Sequence, residues 1–273
     1  MAAQSHRSDP RILGRRTLER DNRVLARLLR PGMSVLDIGC GTGAITSGIA
    51  KAVGPTGRVL GLDRDEGLLE LALDQNGAVP NLRFEAGDAT ALNVRAEFDI
   101  VNSSRALQWM PDPGAVVAKM AQAVKPGGWV VVLDYNHTRN AWDPDPPDAF
   151  RRFYAGFLAW RQANGWDNEM AEHLPKLFRS AGLVEIESHV QDEIVKRGDP
   201  DFADRSAIWM ETIESLGYRI AEGGFCSERN LQEARAQYGS WVKSEMMTQA
   251  LELRAVIGRV SRDQEYSLDP AGA

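Results

Sequence analysis

The sequence predicts an α/β fold in which a doubly wound parallel sheet carries helices on both faces. Between residues 33 and 135, short apolar runs alternate with stretches of helical spacing, as in parallel strands joined by crossover helices. The runs are continuously apolar, which is typical of strands covered on both faces. The run at residues 35–38 passes directly into Gly39, Gly41 and Gly43, a pattern that indicates a strand turning sharply into a helix.

The elements around these strands are predicted from the spacing of apolar residues and from the positions of proline and glycine. Apolar residues between Ile12 and Leu29 recur at helical spacing and predict one helix that ends at Pro31 and Gly32. The loop at residues 141–148 is rich in proline and predicts neither helix nor strand. Strands are predicted at residues 35–38, 58–63, 82–86, 98–104, 124–133, 183–190 and 250–260, and later helices at 148–158, 170–181, 200–216 and 227–245.

Composition limits the classes of partner. The net charge of −6 argues against nucleic acid as the main substrate, since such partners usually require a basic face. Two cysteines far apart in sequence do not form a disulfide framework, which favours a reducing cytoplasm. We find neither a signal peptide nor an apolar run that would cross a bilayer, and therefore expect a cytoplasmic protein without a membrane partner.

The glycine turn by itself fits two kinds of nucleotide-like ligand. Gly39, Gly41 and Ala44 satisfy the dinucleotide-binding pattern, and Asp63 lies at about the distance expected for a ribose ligand. Asp37, two residues before the first glycine, would repel a pyrophosphate but suits a ligand with an ammonium and a sulfonium. Those are the charges of S-adenosylmethionine, although an NAD-dependent oxidoreductase remains the alternative.

Five segments in order resemble the class I S-adenosylmethionine-dependent methyltransferases. They are the glycine turn, the strand ending at Asp63, the sequence Gly87-Asp88-Ala89, the strand and loop at 98–104, and the turn and strand at 124–133. The resemblance implies that Asp63 accepts hydrogen bonds from both ribose hydroxyls and that Asp88 takes the adenine amino group. Asp88 and Asp63 are also good helix N-caps, a structural alternative for each. The cofactor site implied by the resemblance comprises Asp37, Gly39, Cys40, Gly41, Thr42, Asp63, Arg64, Gly87, Asp88, Ala89, Ser103, Ser104 and Gln108.

The resemblance also implies the architecture of the whole chain. The sheet should have seven strands in a Rossmann-like methyltransferase arrangement, with the last strand antiparallel and placed between strands five and six. An inserted helical lid should carry the substrate specificity. We expect a single domain over residues 1–273, with a cofactor-binding core at about 31–138, lid helices at about 139–170 and 198–248, and last sheet strands at about 183–195 and 250–260.

Candidates for acid–base chemistry lie at the end of the fifth strand. His137 and its neighbour Tyr135 follow a strand whose carboxyl end should face the ligand crevice. His173 is a weaker candidate, and His189 is expected to be structural. Aromatic side chains of the lid are candidates to line an apolar pocket or to cage a cationic acceptor, and otherwise to pack the lid: Trp142, Phe153, Tyr154, Phe157, Trp160, Trp166, Trp209 and Trp241.

The prediction is therefore a methyltransferase that acts on a small organic acceptor and yields S-adenosylhomocysteine. The motifs are similar to the small-molecule branch that includes ubiquinone and menaquinone biosynthesis enzymes. No metal is expected, and the exposed faces of the lid helices make a homodimer possible. A protein that binds S-adenosylmethionine without catalysis is the other alternative, because an intact cofactor motif says nothing about an acceptor site.

Overall fold

A central eight-stranded sheet organises the computed structural model, which describes residues 9–263. Its strands are β1 (Ser34–Ile38), β2 (Arg58–Asp63), β3 (Leu82–Ala86), β4 (Phe98–Ser104), β5 (Val124–Asp143), β6 (Val184–Val190), β7 (Glu193–Lys196) and β8 (Thr248–Arg259). Neighbouring strands follow the order β3-β2-β1-β4-β5-β8-β6, and β7 pairs with β8. The predicted ends of the single domain, 1–8 and 264–273, lie outside the described residues.

The winding of the sheet creates a crevice beside β1. The chain proceeds from β1 to β2 and β3 on one side and then crosses back to β4 and β5 on the other, with these strands parallel. Ligands of open α/β sheets bind where the strand order reverses, outside the carboxyl ends of the strands. β8 is antiparallel to both β5 and β6, as the resemblance implied. The α/β fold class is confirmed, with β7 as a short addition to the expected strands.

Helices cover both faces of the sheet and form the lid. They are α1 (Pro10–Gly14), α2 (Leu18–Asp21), α3 (Arg23–Leu28), α4 (Ala44–Val53), α5 (Glu66–Asn76), α6 (Pro113–Ala123), α7 (Asp148–Ala163), α8 (Met170–Ser180), α9 (Phe202–Ser206), α10 (Ile208–Glu222) and α11 (Glu228–Ser244). One apolar cluster joins α6 and α8 to the sheet, and another joins α2, α3 and α4 to the opposite face. A third, rich in aromatic side chains, packs α7, α10 and α11 over the ends of β5 and β8.

Three element predictions were wrong in detail. The single helix expected before β1 is broken into α1, α2 and α3, because Thr17 and Asn22 each accept a backbone N–H and begin a new helix. The helix expected at 200–216 is divided between α9 and α10. Residues 141–143, expected in a loop, continue β5 because they pair with residues 248–250 of β8.

Candidate functional site

The glycine turn after β1 adopts a conformation that requires glycine. Gly39, Gly41 and Gly43 have φ values of 71°, 54° and 74°. A Cβ on Gly39 would lie 2.4 Å from the Cβ of Ala106, and one on Gly43 would lie 2.6 Å from the ring of Phe84. α4 begins directly after this turn without a side-chain cap. Its first N–H groups are therefore available to a ligand in the adjoining crevice.

A cavity of ≈ 220 Å³ opens at this turn and is called here the glycine-turn cavity. Its wall comes from the carboxyl ends of β1 to β4 and from the start of α4. Predicted cofactor residues on its wall are Asp37, Gly39, Cys40, Gly41, Thr42, Asp63, Arg64, Gly87, Asp88, Ala89 and Ser104. Residues separated by up to 67 positions in sequence are thus brought around one space.

Asp63 lies at the end of β2 with its carboxylate fixed by the backbone. Oδ2 accepts the N–H of Gly41 at 2.8 Å, and Oδ1 accepts the N–H of Asp65 at 3.0 Å. Each carboxylate oxygen can accept a further hydrogen bond. The helix-cap alternative does not hold for Asp63, because Asp65 caps α5.

Asp88, on the wall of the same cavity, does act as a cap. Its Oδ1 accepts hydrogen bonds from the N–H and hydroxyl of Thr90 at 2.8 and 2.7 Å and starts a 3₁₀ turn at residues 89–91. These bonds to Thr90 lower the pKa of Asp88, so the carboxylate is ionised at neutral pH. Oδ2 has no such bond among the described residues and is left for a donor in the cavity.

Asp37 is a buried carboxylate beneath the glycine turn. Thr46 and Asn102 each donate a hydrogen bond of 2.7 Å to it. Burial raises the pKa of Asp37 to about 6, and the two hydrogen bonds oppose that shift. Asn22, the cap of α3, in turn donates to Asn102. Asp37 therefore connects β1 with α4 and β4 and places a buried carboxyl group on the cavity wall.

Two predicted cofactor residues lie elsewhere. Ser103 is fully buried and is not on the wall of the cavity, because successive side chains of β4 point to opposite sides and those of Asn102 and Ser104 share the side that faces Asn22. Gln108, just beyond β4, faces a second cavity instead. Gln108 was predicted to contact the cofactor, but in the structure it contacts His137 and also Arg161 of the lid helix α7.

The second cavity, of ≈ 90 Å³, adjoins the first and is called the aromatic cavity. The two cavities share Leu13, Arg16, Arg105 and Trp109. It is enclosed by the lid helices α7 and α10 and by residues 9–16, called here the N-terminal segment. Its wall includes Tyr135, His137, Asn140, Phe157, Trp209, Thr212, Leu216 and Leu251.

His137, on the wall of this cavity, has one ring nitrogen without a partner among the described residues. Its Nε2 lies 2.6 Å from Oε1 of Gln108, whose amide nitrogen donates to the carbonyl of Arg105. Gln108 Oε1 only accepts, so Nε2 carries the proton and Nδ1 holds the lone pair. Nδ1 is buried without a partner among the described residues. Burial and the charge of Arg161 hold the pKa of His137 well below its usual range, and the ring is neutral.

Tyr135 stacks on His137, with ring centroids 5.0 Å apart. Its hydroxyl is buried, and the guanidinium of Arg105 lies near it. Burial raises the pKa of Tyr135, so the hydroxyl keeps its proton. The predicted pair of acid–base candidates thus lies together on the wall of the aromatic cavity.

The remaining candidates divide between this cavity and the lid. Phe157 and Trp209 line the aromatic cavity. The other proposed aromatic residues pack α7, α10 and α11 together, which accords with the packing alternative. His173 is half exposed and pairs with Asp167, and neither residue lines the glycine-turn cavity or the aromatic cavity; His189 lies in β6 beside Glu187.

Sequence reasoning missed the contribution of the N-terminal segment. Leu13 and Arg16 lie on the wall of both cavities, and Arg11 and Arg15 bind Glu214 and Glu211 of α10. The density of arginines before β1 was the available signal, but a charged run alone does not show where it folds. Within residues 9–263, no cluster of histidine, cysteine or acidic residues could hold a metal ion, and no helix is long and apolar enough to span a membrane.

Comparison with known proteins gives a family match over more than half of the chain. A family model described as a methyltransferase domain matches residues 29–190. The demethylmenaquinone methyltransferase of Lactococcus lactis is 33% identical over 173 residues, which are 57% of this chain and 68% of that protein. These matches favour the methyltransferase prediction over the dehydrogenase alternative.

Solved structures share the fold at lower identity. A putative methyltransferase from Bacillus halodurans is 19% identical, with a TM-score of 0.55 over 88% of this chain and 96% of that one. Phosphoethanolamine N-methyltransferase 2 of Haemonchus contortus, in complex with phosphomonomethylethanolamine and S-adenosylhomocysteine, is 18% identical, with a TM-score of 0.57. That match covers 89% of this chain and 52% of the Haemonchus chain.

Proposed function

Because the chain belongs to the S-adenosylmethionine-dependent methyltransferase family, we propose that its glycine-turn cavity holds the cofactor and its aromatic cavity holds the methyl acceptor. The enzyme transfers the methyl group to a small molecule, and S-adenosylhomocysteine is the product. The observation that carries this assignment is the junction of the two cavities at Leu13, Arg16, Arg105 and Trp109. In-line displacement needs donor and acceptor in contact, which such a junction provides.

The donor groups and acceptors of the glycine-turn cavity fit the cofactor. Asp63 has an acceptor site left on each oxygen, as a vicinal diol requires. Asp88 Oδ2 is left for an amino group, and the uncapped start of α4 supplies N–H donors. Asp37 adds a buried carboxyl group to the cavity wall beneath the turn, and such a group suits a ligand that carries positive charge.

The chain's own part in catalysis is orientation, exclusion of water and removal of a proton. Bound S-adenosylmethionine supplies an electrophilic methyl group and leaves as a neutral thioether. His137 lies on the wall of the aromatic cavity with Nδ1 unprotonated and without a partner among the described residues, and this nitrogen can take the proton of an acceptor hydroxyl, amine or thiol. The side chain of Gln108 fixes the tautomer, and Arg161 donates a hydrogen bond of 3.1 Å to the backbone carbonyl of Gln108. Tyr135 stays protonated and can donate a hydrogen bond to the acceptor.

A substitution that fills the aromatic cavity tests whether the cofactor and the acceptor occupy separate cavities. Thr212 of α10 lines the aromatic cavity but not the glycine-turn cavity. The larger side chain of Thr212→Phe should therefore fill the aromatic cavity and leave the glycine-turn cavity intact. S-adenosylhomocysteine binding by calorimetry should be unchanged, while methylated products from a panel of small ring compounds, detected by mass spectrometry, should disappear. Thr212→Val, of similar volume, is the matched control. Undiminished methylation by Thr212→Phe would refute the acceptor assignment.

Three further expectations stay predictions. Homodimer formation is supported by the exposed Tyr218 on α10 and Met247 beside β8, and light scattering should then give twice the 30.1 kDa chain mass. Cytoplasmic location is tested by fractionating cells that express the protein. Action without nucleic acid is tested by adding RNA or DNA to the methylation assay, where no methylated polymer is expected.

A further inference from the structure

We propose that the acceptor carries an anionic oxygen group, a carboxylate or a phosphate, and that Arg16, Arg105 and Tyr135 bind that group where the two cavities meet. This inference rests on the proposed function, because it assigns a ligand class to the acceptor cavity. The supporting observations are a buried guanidinium with unused donors, a second guanidinium without a carboxylate, and a buried hydroxyl beside the first guanidinium.

Arg105, directly after β4, is the central group. Its side chain is 1% exposed, and Nη2 binds the carboxylate of Glu193. Nε and Nη1 are buried and have no hydrogen-bond partner among the described residues. Buried donors of a charged group are normally satisfied, because leaving them unpaired is costly. The residue also has a φ of 60°, a strained conformation of the kind that persists at ligand sites.

Arg16 differs from the arginines around it. Arg11, Arg15 and Arg20 each bind a carboxylate of the protein. Arg16 has none within residues 9–263, yet it is partly buried and lies on the wall of both cavities. An unpaired cation that faces a binding site is available to an anionic ligand.

Tyr135 adds a hydroxyl donor beside the two guanidinium groups. Its hydroxyl is buried; burial and the charge of Glu193 raise its pKa, and the charges of Arg105 and Arg16 together with hydrogen bonding from Arg105 lower it. The Arg105 guanidinium lies beside the Tyr135 ring, and Arg16 lies with both on the wall of the aromatic cavity. Nε and Nη1 of Arg105, the Arg16 guanidinium and the Tyr135 O–H supply several donors and no obligatory acceptor. Such a set matches the oxygens of a carboxylate or phosphate.

The position of these groups distinguishes an acceptor anion from the carboxylate of the cofactor. The Arg105 guanidinium carbon lies 5.8 Å from the centre of the Tyr135 ring, and Tyr135 lines only the aromatic cavity. Glu193, which binds Arg105, pairs in register with Leu251, and Leu251 also lines only the aromatic cavity. The charged end of Arg105 therefore lies on the acceptor side of the junction.

Calorimetry on the enzyme saturated with S-adenosylhomocysteine tests this inference with benzoate, phenyl phosphate and benzamide as probes. At least one anion should bind about tenfold or more tightly than the isosteric neutral amide, as expected for hydrogen bonds to a charged group. The tighter of the two anions identifies the carboxylate or the phosphate as the group recognised. Arg16→Gln should remove that preference, and Arg15→Gln, which changes an arginine outside both cavities, should retain it.

Arg105→Gln combined with Glu193→Gln gives a second variant that leaves no buried carboxylate unpaired, and it should also lose the preference. Binding of both benzoate and phenyl phosphate that is no tighter than that of benzamide, or no binding of either anion to the saturated enzyme, would overturn the inference and leave the proposed function standing. Weaker binding of S-adenosylhomocysteine to Arg16→Gln with an unchanged preference for the anion would also overturn it, since Arg16 would then serve the cofactor. Failure of the unaltered protein to bind S-adenosylhomocysteine would instead refute the proposed function and this inference with it.

Discussion

Replacing Asp63 by asparagine should weaken S-adenosylhomocysteine binding about 100-fold. The two carboxylate oxygens accept the N–H groups of Gly41 and Asp65, and each keeps one acceptor site for a ribose hydroxyl. An asparagine NH₂ cannot accept, so one backbone N–H and one ribose hydroxyl lose their acceptor, and the remaining bond loses its charge. With about 1.5–3 kcal/mol for each hydrogen bond to a charged group, a loss of about 3 kcal/mol follows.

Isothermal titration of Asp63→Asn with S-adenosylhomocysteine measures this loss. Asp74→Asn is the matched control, because Asp74 is exposed on α5 and lines neither cavity. Its affinity should equal that of the unaltered protein, and both variants should show the same far-UV circular dichroism. An affinity of Asp63→Asn within about threefold of the control, equivalent to less than 1 kcal/mol, would refute the assigned role of Asp63.

Three further predictions concern the lid, the histidine and the turn. Arg161→Met should lower the free energy of unfolding by about 3 kcal/mol in urea, because three oxygen acceptors lose a buried donor, whereas exposed Arg152→Met on the same helix should change little. The pKa of His137 is depressed in the folded protein, so its contribution to stability is complete above about pH 6.5 and is lost on acidification; from about pH 7 to about pH 5 the protein should lose more stability than His137→Gln. Gly39→Ala, with φ of 71° and a Cβ 2.4 Å from a neighbouring methyl group, should lower the melting temperature and weaken S-adenosylhomocysteine binding, while Gly14→Ala, with no atom within 4 Å, should do neither.

The parts of the fold that the sequence predicted are those encoded by local chemistry. A continuously apolar strand followed by Gly39, Gly41 and Gly43 has few other solutions, because positive φ and close contacts exclude other residues. Asp63 ends β2 and Asp88 follows β3 by two residues. Because the carboxyl ends of neighbouring parallel strands lie at the same edge of a sheet, the order of residues along the chain is enough to place both near the turn.

The parts that were missed depend on contacts distant in sequence. Residues 141–143 form a strand only because β8 lies beside them, and Thr17 and Asn22 break a helix that periodicity alone continues. Ser103 was misplaced because a motif gives the order of residues along a strand but not the face each one takes. Arg16 reaches both cavities only when the N-terminal segment binds α10, and no local pattern specifies that contact.

The most direct test is the crystal structure of the enzyme with S-adenosylhomocysteine. We expect the ribose hydroxyls on Asp63, the adenine amino group at Asp88 Oδ2, and the sulfur at the junction beside Arg105 and Trp109, facing the aromatic cavity. A complex in which Asp63 makes no contact with the ribose, or in which the sulfur is directed away from the aromatic cavity, would contradict the two-cavity account.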